Sequence, residues 1–331
     1  MSALATGVIG AADDLRHPGT RDSLFWSLVL PQERIAAQVY LFIDSYGVAG
    51  RQVAVYRPEA DRTVLLLEHG IDLGADADLR EMRCAGLHVR QPEPLAVAEL
   101  AFDAERVGLE YRFVAEHRPF SYQENPRGCP HWMAVNRYEQ AGRASGVLRI
   151  EDREYAFSDI WSHRDHSWGR RDWNWVHHWK WLIAGTPSGT SLNAMFHIAR
   201  GELGVNGFVR RAGDPEPAAI VDGRCEARYD EQMGQRSLVA DIVDASGATT
   251  RLELERYAIF SQPFGRGSLI SEAACTARID GEPGAAQFET LWPQEYAERL
   301  AGSDAKGRGA GLGEPGGTPN RVRPRAAASK Q

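Results

Sequence analysis

Trp173-Asn-Trp-Val-His-His-Trp-Lys-Trp-Leu-Ile183 is the stretch that decides the fold class, because its aromatic side chains repeat with a period of two. Successive side chains of a β-strand point to opposite faces, so this period puts the odd-numbered residues on one face of one strand. A helix would instead separate Trp173 from Trp175 by about 200° around its axis. The stretch therefore predicts a β-strand of roughly 36 Å with an aromatic face.

That aromatic face allows two interpretations: a barrel core filled by indole rings, or an apolar ligand cavity lined by them. Six of the nine tryptophans and four of the ten histidines of the chain fall between residues 161 and 181. A buried tryptophan needs an acceptor for its N–H group, so both interpretations require polar groups nearby. The predicted face consists of Trp173, Trp175, His177, Trp179, Trp181 and Ile183.

The rest of the chain also consists mainly of short stretches that favour β-strands. Leu24–Leu30, Ile35–Asp44, Leu109–Ala115 and Ser268–Ile279 are rich in aliphatic and aromatic residues and are bounded by turn formers. Helical periodicity is scarce outside Pro293–Ala301, which has proline at its start and glycine after its end. Many short strands with regular turns predict an all-β fold of two packed β-barrel or half-barrel domains.

The expected domain organisation follows changes in composition along the chain. Residues 1–20 are expected to be a flexible N-terminus, residues 21–125 one β-domain and residues 126–301 a second. Aromatic periodicity gives way to proline and polar residues near Pro119–Arg127, which places the boundary there. Residues 302–331 are rich in glycine and basic residues and have no aromatic side chain, so a disordered tail is expected.

Composition and missing motifs narrow the functional classes. The net charge of −7 argues against a nucleic-acid partner, and no apolar run is long enough for a membrane-spanning helix. The four cysteines are far apart, and no secretory signal is visible, so a reduced cytoplasmic protein is expected. No nucleotide-binding, HExxH or GxSxG motif is present. We expect a hydrophobic small molecule as the partner and no cofactor; a homodimer stays open.

The chemistry is concentrated in His163-Arg-Asp-His-Ser-Trp-Gly169, just before the aromatic stretch. In an extended chain, His163 and Asp165 share one face, His166 points away, and Gly169 allows a bend. A carboxyl group beside apolar indoles has a raised pKa, so it can stay protonated and act as a general acid. A neighbouring histidine could then accept or return the proton.

Two alternatives remain open for this motif. Asp165 could form a structural ion pair with Arg164 or Arg171 that closes the sheet. His163, Asp165 and His166 could instead bind a metal ion, although no matching distant Cys or His pair accompanies them.

A second polar pattern is Arg137-Tyr-Glu-Gln140. Alternation puts Arg137 and Glu139 on one face of a strand and Tyr138 and Gln140 on the other. A buried Arg–Glu pair is structural by default, but it could also orient the His/Asp motif if the two strands are neighbours.

Three segments resemble a known family: Phe25-Trp-Ser-Leu-Val-Leu-Pro-Gln-Glu-Arg34, Arg137-Tyr-Glu-Gln-Ala-Gly-Arg-Ala-Ser-Gly146 and His163-Arg-Asp-His-Ser-Trp-Gly-Arg-Arg-Asp-Trp173. The family is an uncharacterised bacterial group with two lipocalin-like β-domains, which in turn resembles the carotenoid 1,2-hydratase and AttH-like proteins. The resemblance covers roughly residues 20–300. It implies two packed lipocalin-like domains with a hydrophobic cavity and cofactor-free hydration, cyclisation or isomerisation of terpenoid-like or polyketide-like substrates.

Within that family element, Asp165, His166 and Trp168 are the matching positions, whereas His163 and the doubled His177–His178 have no place in the family pattern. We therefore expect a cofactor-independent lyase or isomerase acting on a terpenoid- or steroid-like substrate. The alternatives are a non-catalytic carrier of hydrophobic molecules and a metal-dependent enzyme. The expected catalytic residues are Asp165, His166 and His163. The expected substrate-binding residues are Trp168, Trp173, Trp175, His177, Trp179, Trp181 and Tyr138, supported by Arg137, Glu139 and Arg171.

Overall fold

The computed structural model describes residues 8–59, 63–265 and 267–302, and these residues form two β-structures. The strands are β1 (Asp22–Leu30), β2 (Ile35–Ile43), β3 (Val48–Tyr56), β4 (Val64–Asp72), β5 (Glu81–Cys84), β6 (Leu87–Glu93), β7 (Val97–Asp103), β8 (Val107–Ala115), β9 (Phe120–Ser121), β10 (Asn136–Ile150), β11 (Arg153–Trp168), β12 (Val176–Gly185), β13 (Ser191–Ala199), β14 (Glu202–Arg210), β15 (Ala218–Tyr229), β16 (Gln235–Asp244), β17 (Thr249–Phe264), β18 (Ser268–Ile279) and β19 (Glu282–Pro293). Short 3-10 helices cover Ala11–Asp14 and Tyr122–Glu124, and the helix α1 covers Gln294–Gly302.

The first structure is an 11-stranded antiparallel sheet in the order β4-β3-β2-β1-β11-β10-β8-β7-β6-β5, with β9 paired to β10. It is strongly curved, so that one face encloses a core of aliphatic side chains contributed by strands from both ends of the sheet. The second structure is a closed barrel of eight strands, β12 to β19, each paired with its neighbour in the chain. The predicted all-β fold with two packed barrel-like domains is confirmed.

A third core joins the two structures, and it explains the tryptophan-rich stretch. The barrel is filled by residues such as Leu182, Ala184 and Phe288. Trp179, Trp181 and their neighbours lie on the outside of the barrel and pack against the outer face of the first sheet. The indoles therefore do not fill the barrel core, which was one of the two interpretations. They form the contact between the domains.

The boundary between the domains differs from the expected one. The sequence placed it between residues 125 and 126, but β10 and β11 pair with β8 and β1 and belong to the first sheet. The chain crosses to the barrel only between Trp168 and Val176. Composition could not show this, because the polar segment near residue 125 leads back into the same sheet.

The N-terminal segment is part of the fold where the structure describes it, from residue 8 onward. Asp14 is fully buried and accepts hydrogen bonds from the Arg164 guanidinium at 3.2 and 3.3 Å. The expected flexibility of residues 1–20 therefore does not extend to this part. Residues 1–7, and all of the expected tail beyond Gly302, lie outside the described residues.

The strand predicted over residues 173–183 is observed as β12, which begins three residues later, at Val176, and is one residue shorter. A register shift between Val176 and His178 against β13 marks a β-bulge at His177. One extra residue reverses the alternation locally, so His177 is exposed while Trp179 is buried. Trp173 and Trp175 lie in the loop before the strand.

The remaining expectations for the backbone hold closely. The predicted strand Ser268–Ile279 coincides with β18. All four cysteines lie in the described part of the chain and are free.

No helix in the three described ranges is long and apolar enough to cross a membrane.

Candidate active site

A cavity of about 380 Å³ lies between the first sheet and the outer face of the barrel. This volume is within the range of small-molecule sites. The sheet contributes side chains from β1 to β4, β10 and β11, and the barrel contributes side chains from β12, β13 and β17 to β19. The polar lining includes Tyr40, Arg137, Asp165, Glu272 and Glu289.

The predicted motif delivers Asp165 to this cavity through strand pairing. β10 and β11 are neighbours in a register that puts Glu139 opposite Asp165 and Arg137 opposite Ser167. The Arg137 Nη2 donates to the Asp165 Oδ2 at 2.7 Å. The structural alternative named Arg164 or Arg171 as the partner of Asp165, but the observed ion pair is with Arg137.

Behind this pair, Glu139 is fully buried and holds Arg137 in place. The Arg137 Nε donates to Glu139 at 2.6 Å, the His163 Nε2 lies 2.7 Å from its other oxygen, and the Trp181 indole donates at 3.1 Å. Burial opposes the charge of Glu139, but Arg137 and His163 outweigh it and lower the pKa of this carboxyl. His163 therefore acts on the cavity only through Glu139 and does not line it.

Asp165 itself has an unusual protonation equilibrium. Burial raises its pKa, Arg137 and Arg171 lower it, and the negative charges of Glu139 and Glu272 raise it again, so that it reaches about 7. Asp165 therefore exists in both the protonated and the ionised form near neutral pH. This is the condition that general acid–base catalysis requires at that pH.

The barrel wall adds a carboxyl pair that the sequence analysis missed. Glu272 on β18 is directly opposite Glu289 on β19, and the two side chains share a hydrogen bond. Gln287 donates to Glu272 at 2.8 Å, and the Trp179 indole donates to Glu289. Burial raises the pKa of both groups. The pKa of Glu289 is raised further by the charge of Glu272, because two adjacent buried carboxyls cannot both ionise. A glutamate in an apolar stretch of a predicted strand, Ser271-Glu272-Ala-Ala-Cys275, was the available signal.

Aromatic rings form the apolar part of the cavity. Trp173 packs at 5.6 Å from Trp179 and at 5.2 Å from Phe264, measured between ring centroids. Phe25 meets Trp181 edge to face at 5.5 Å. The structure thus brings three of the predicted tryptophans, Trp173, Trp179 and Trp181, into the same cavity as Asp165.

Three predicted site residues lie on the opposite face of the first sheet. His166 points away from Asp165, as alternation requires, and its Nε2 lies 3.1 Å from Asp22. Tyr138 donates to Asp14, and Trp168 stacks on His17 at 4.2 Å. None of the three lines the cavity. His163, Asp165 and His166 therefore do not converge on one point as a metal site would require.

The cluster around Asp22 is the group of potential metal ligands in the described part of the chain. The donor atoms of His17, Asp22 and His166 lie within 4.8 Å of one another. The carboxylate of Asp22 is already paired with Arg16 and accepts from the His17 backbone at 3.1 Å. It is therefore a hydrogen-bonded cluster that ties the N-terminal segment to β1 and β11.

Two more predicted residues lie outside the cavity. Trp175 packs under the Arg200 guanidinium, at 3.0 Å from ring centroid to Cζ, and meets His131 edge to face at 4.5 Å. His177 is exposed at the β-bulge. Sequence alternation could not reveal this bulge, so it put His177 on the buried face. Trp175 does pack against the core between the domains, but it lies outside the cavity.

A larger groove of about 1450 Å³ is lined by β1, β10 and β11 of the first sheet and by β12 and β15 to β19 of the barrel. It is lined by charged side chains such as Glu226, Glu253 and Arg278, and it contains neither Asp165 nor the carboxyl pair. The smaller cavity combines apolar rings with convergent polar groups of shifted pKa, and it is therefore the candidate active site.

The fold is shared with several solved structures. An AttH-like protein of Nitrosomonas europaea is 13% identical, with a TM-score of 0.63 over 89% of this chain and 99% of that one. Kievitone hydratase of Nectria haematococca is 10% identical, with a TM-score of 0.58 over 88% of this chain and 94% of that one. CghA is 13% identical, with a TM-score of 0.56 over 83% of this chain and 88% of that one. The expected resemblance to AttH-like proteins is confirmed at the level of the fold.

Sequence comparison adds a family but no activity. Residues 10–294 match the profile of a family described as "Domain of unknown function (DUF7064)". No curated protein matches the chain.

Proposed function

The chain belongs to this family of unknown function, DUF7064, and from its site we propose that it is a cofactor-independent lyase or isomerase. The reaction would be of the hydratase, dehydratase or cyclase type, on a hydrophobic terpenoid- or steroid-like substrate. The observation that carries the proposal is Asp165: a carboxyl with a pKa of about 7 at the wall of a cavity whose apolar part is formed by aromatic rings.

The chemistry is a proton transfer to carbon. Protonated Asp165 transfers its proton to one carbon of a C=C bond, whose π electrons form the new C–H bond, and the second carbon becomes cationic. The faces of Trp173 and Trp179 stabilise this cation by about 0.5–2 kcal/mol each. Water adds to the cation and loses a proton to a carboxylate in a hydration. Loss of a neighbouring proton to a carboxylate completes an isomerisation.

The two carboxylates that could accept this proton lie on opposite walls of the cavity. Asp165 is ionised once it has given its proton, and Glu272 is the member of the glutamate pair that accepts a hydrogen bond from Gln287. His163 and His166 take no part in this proposal as proton carriers, since both are directed to carboxylates outside the cavity.

The comparisons give this proposal a limited form of support. Kievitone hydratase, whose name describes a hydration, has the same fold as this chain. A sequence identity of 10% supports a common fold only, so the substrate class has to be inferred from the side chains of the cavity.

The experiment is a turnover assay in D₂O on terpenoids, steroids and kievitone, analysed by mass spectrometry. Wild type should add water to a panel member or incorporate deuterium into it, and Asp165→Asn should abolish both. Asp159→Asn is the matched control, because Asp159 is an exposed residue of the same strand. Its φ of 53° is one that asparagine adopts readily.

Two outcomes would contradict the proposal. Turnover that persists in Asp165→Asn would remove the acid role from Asp165. Tight binding without turnover of any compound by wild type would favour the alternative of a non-catalytic carrier.

A further inference from the structure

Four arginines line the cavity, and they fall into two classes. Arg137 is paired with Glu139 and Asp165, and Arg51 donates to two backbone carbonyls and lies 4.0 Å from Glu68. The other two, Arg21 and Arg171, have no carboxylate oxygen of the described residues within 4.0 Å. Arg137 and Arg51 are therefore held by contacts that include a carboxylate, whereas Arg21 and Arg171 have no carboxylate partner among the described residues.

Arg21 and Arg171 are half-buried and are held by neutral groups only. Arg21 donates to Ser23 at 3.2 Å and to the Tyr40 hydroxyl at 3.3 Å, and its guanidinium lies 3.8 Å from the Phe42 ring centroid. Arg171 donates to Ser167 at 2.6 Å, and its guanidinium lies 5.4 Å from the Trp173 ring centroid. These contacts fix both guanidiniums and leave further N–H groups without an acceptor in the described part of the chain.

The electrostatic field of the two cations is visible at Tyr40. Burial alone would raise the pKa of this phenol, but Arg171 and Arg21 outweigh it and lower it to about 8. The pKa of Arg171 is lowered mainly by burial, and the charges of Arg21 and Arg137 lower it further, whereas Tyr40 and Asp165 act in the opposite direction. The Tyr40 shift therefore indicates that positive charge predominates at this end of the cavity.

Two like charges beside each other and away from bulk water are unfavourable unless an anion compensates them. Arginine is also the residue that binds carboxylate and phosphate groups through two parallel hydrogen bonds. The apolar rings of Trp173 and Phe264 continue the cavity next to this cationic end.

We propose that Arg21, Arg171 and the Tyr40 hydroxyl form an anion subsite, so that the natural ligand is an amphipathic anion. Its carboxylate or phosphate head would bind between the two guanidiniums, and its hydrocarbon body would lie on the aromatic wall. This inference rests on the proposed function only in taking the same cavity as the substrate site.

The test is a fluorescence titration of the full chain with two probes that differ in one group. 8-Anilinonaphthalene-1-sulfonate has the aromatic body of N-phenyl-1-naphthylamine and an added sulfonate. Wild type should bind the sulfonate about tenfold more tightly than the neutral probe. Arg171→Gln and Arg21→Gln should each remove this preference and leave binding of the neutral probe little changed, and Arg171→Lys should keep part of it.

Arg224→Gln is the control for net charge, because Arg224 is exposed on the barrel and paired with Asp241. It should change neither affinity. Competition by farnesoic acid, farnesyl phosphate and neutral farnesol then distinguishes a carboxylate ligand from a phosphate ligand. Equal affinity of wild type for both fluorescent probes, binding of neither, or equal loss of both in the arginine variants would each overturn the subsite.

Failure of the subsite and failure of the proposed reaction are distinguishable, because the titration requires no turnover. Asp165→Asn should lose turnover and keep its preference for the sulfonate probe. Loss of that preference in Asp165→Asn, with both arginines intact, would also overturn the assignment to Arg21 and Arg171.

Discussion

Asp165 and Glu289 illustrate at the scale of single residues how burial sets protonation in this cavity. Each carboxyl is away from water, yet Asp165 has an arginine partner and Glu289 has another carboxyl. The arginine brings the pKa of Asp165 back to about 7, whereas nothing comparable acts on Glu289, whose pKa stays far above its ordinary value. Of these two carboxyls in the cavity, Asp165 titrates near neutrality and Glu289 keeps its proton.

The protonation of Asp165 predicts a pH profile. A reaction that begins with proton donation by Asp165 should slow as pH rises above about 7, because the protonated fraction then falls about tenfold per pH unit. The rate of deuterium incorporation into the best substrate of the panel, measured across pH, tests this. A rate that keeps increasing above that pH would identify the ionised form as the active one.

Glu289→Gln separates the chemical role of the glutamate pair from its structural role. The amide can donate to Glu272 as the protonated acid does, so the variant should fold with a stability close to that of wild type at acidic pH. Folded Glu289 has a raised pKa, so wild type loses stability as pH rises above the ordinary glutamate value of 4.5, and the variant does not.

The measurement is the free energy of unfolding of both proteins in urea as a function of pH. The advantage of the variant should grow with pH and disappear below the ordinary glutamate pKa. An advantage that is independent of pH would mean that Glu289 is already ionised in the folded protein.

At the scale of elements, the junction between β11 and β12 sets the position of Arg171 and Trp173. Gly169 directly follows β11 and has a φ of 113°, and a Cβ atom there would lie 2.6 Å from the Val135 backbone nitrogen. Gly169→Ala should therefore destabilise the protein by about 3 kcal/mol or more. Gly201→Ala is the matched control: its φ is 78°, and no atom lies within 4 Å of the added carbon.

The control variant should lower the free energy of unfolding by only about 1 kcal/mol, because it adds backbone strain and no steric clash. Urea unfolding of both variants measures the difference. Equal losses at the two glycines would mean that the junction can shift away from Val135, and the position of Arg171 would then be less fixed than the structure indicates.

The same elements show what the sequence could predict. Alternation within one strand correctly separated Asp165 from His166 and Arg137 from Tyr138, because side-chain direction along a strand is a local property. At His177 the β-bulge inserts one extra residue, so alternation assigned this side chain to the wrong face. The sequence carried a signal for a buried Glu272 but none for its place in the cavity. That place depends on the pairing of β18 with β19 and on the contact of the barrel with a sheet built from residues more than a hundred positions earlier.

For the whole molecule, we expect the core between the domains to make them one cooperative unit. Besides the apolar contacts, Tyr257 on the barrel donates to the Ile35 carbonyl at 3.0 Å, and Tyr122 donates to Asn193 at 2.9 Å. We expect tryptophan fluorescence, which reports on the contact between the domains, and far-ultraviolet circular dichroism to follow one urea transition with one midpoint. Two separated midpoints would show that the domains unfold independently.

Strand β11 carries a consequence for folding fidelity. Asp165, an odd-numbered residue, faces the cavity, whereas the even-numbered Arg164 and His166 face the cluster around Asp14 and Asp22 on the opposite side of the sheet. The two faces therefore carry side chains of different charge. A slip of one residue during assembly would put Arg164 or His166 where Asp165 belongs and would bring the aspartate next to the carboxylates of Asp14 or Asp22. A chain with the wrong strand register would thus be destabilised by charge repulsion as well as by poor packing. The correct register of β11 is therefore also the one that places Asp165 at the cavity.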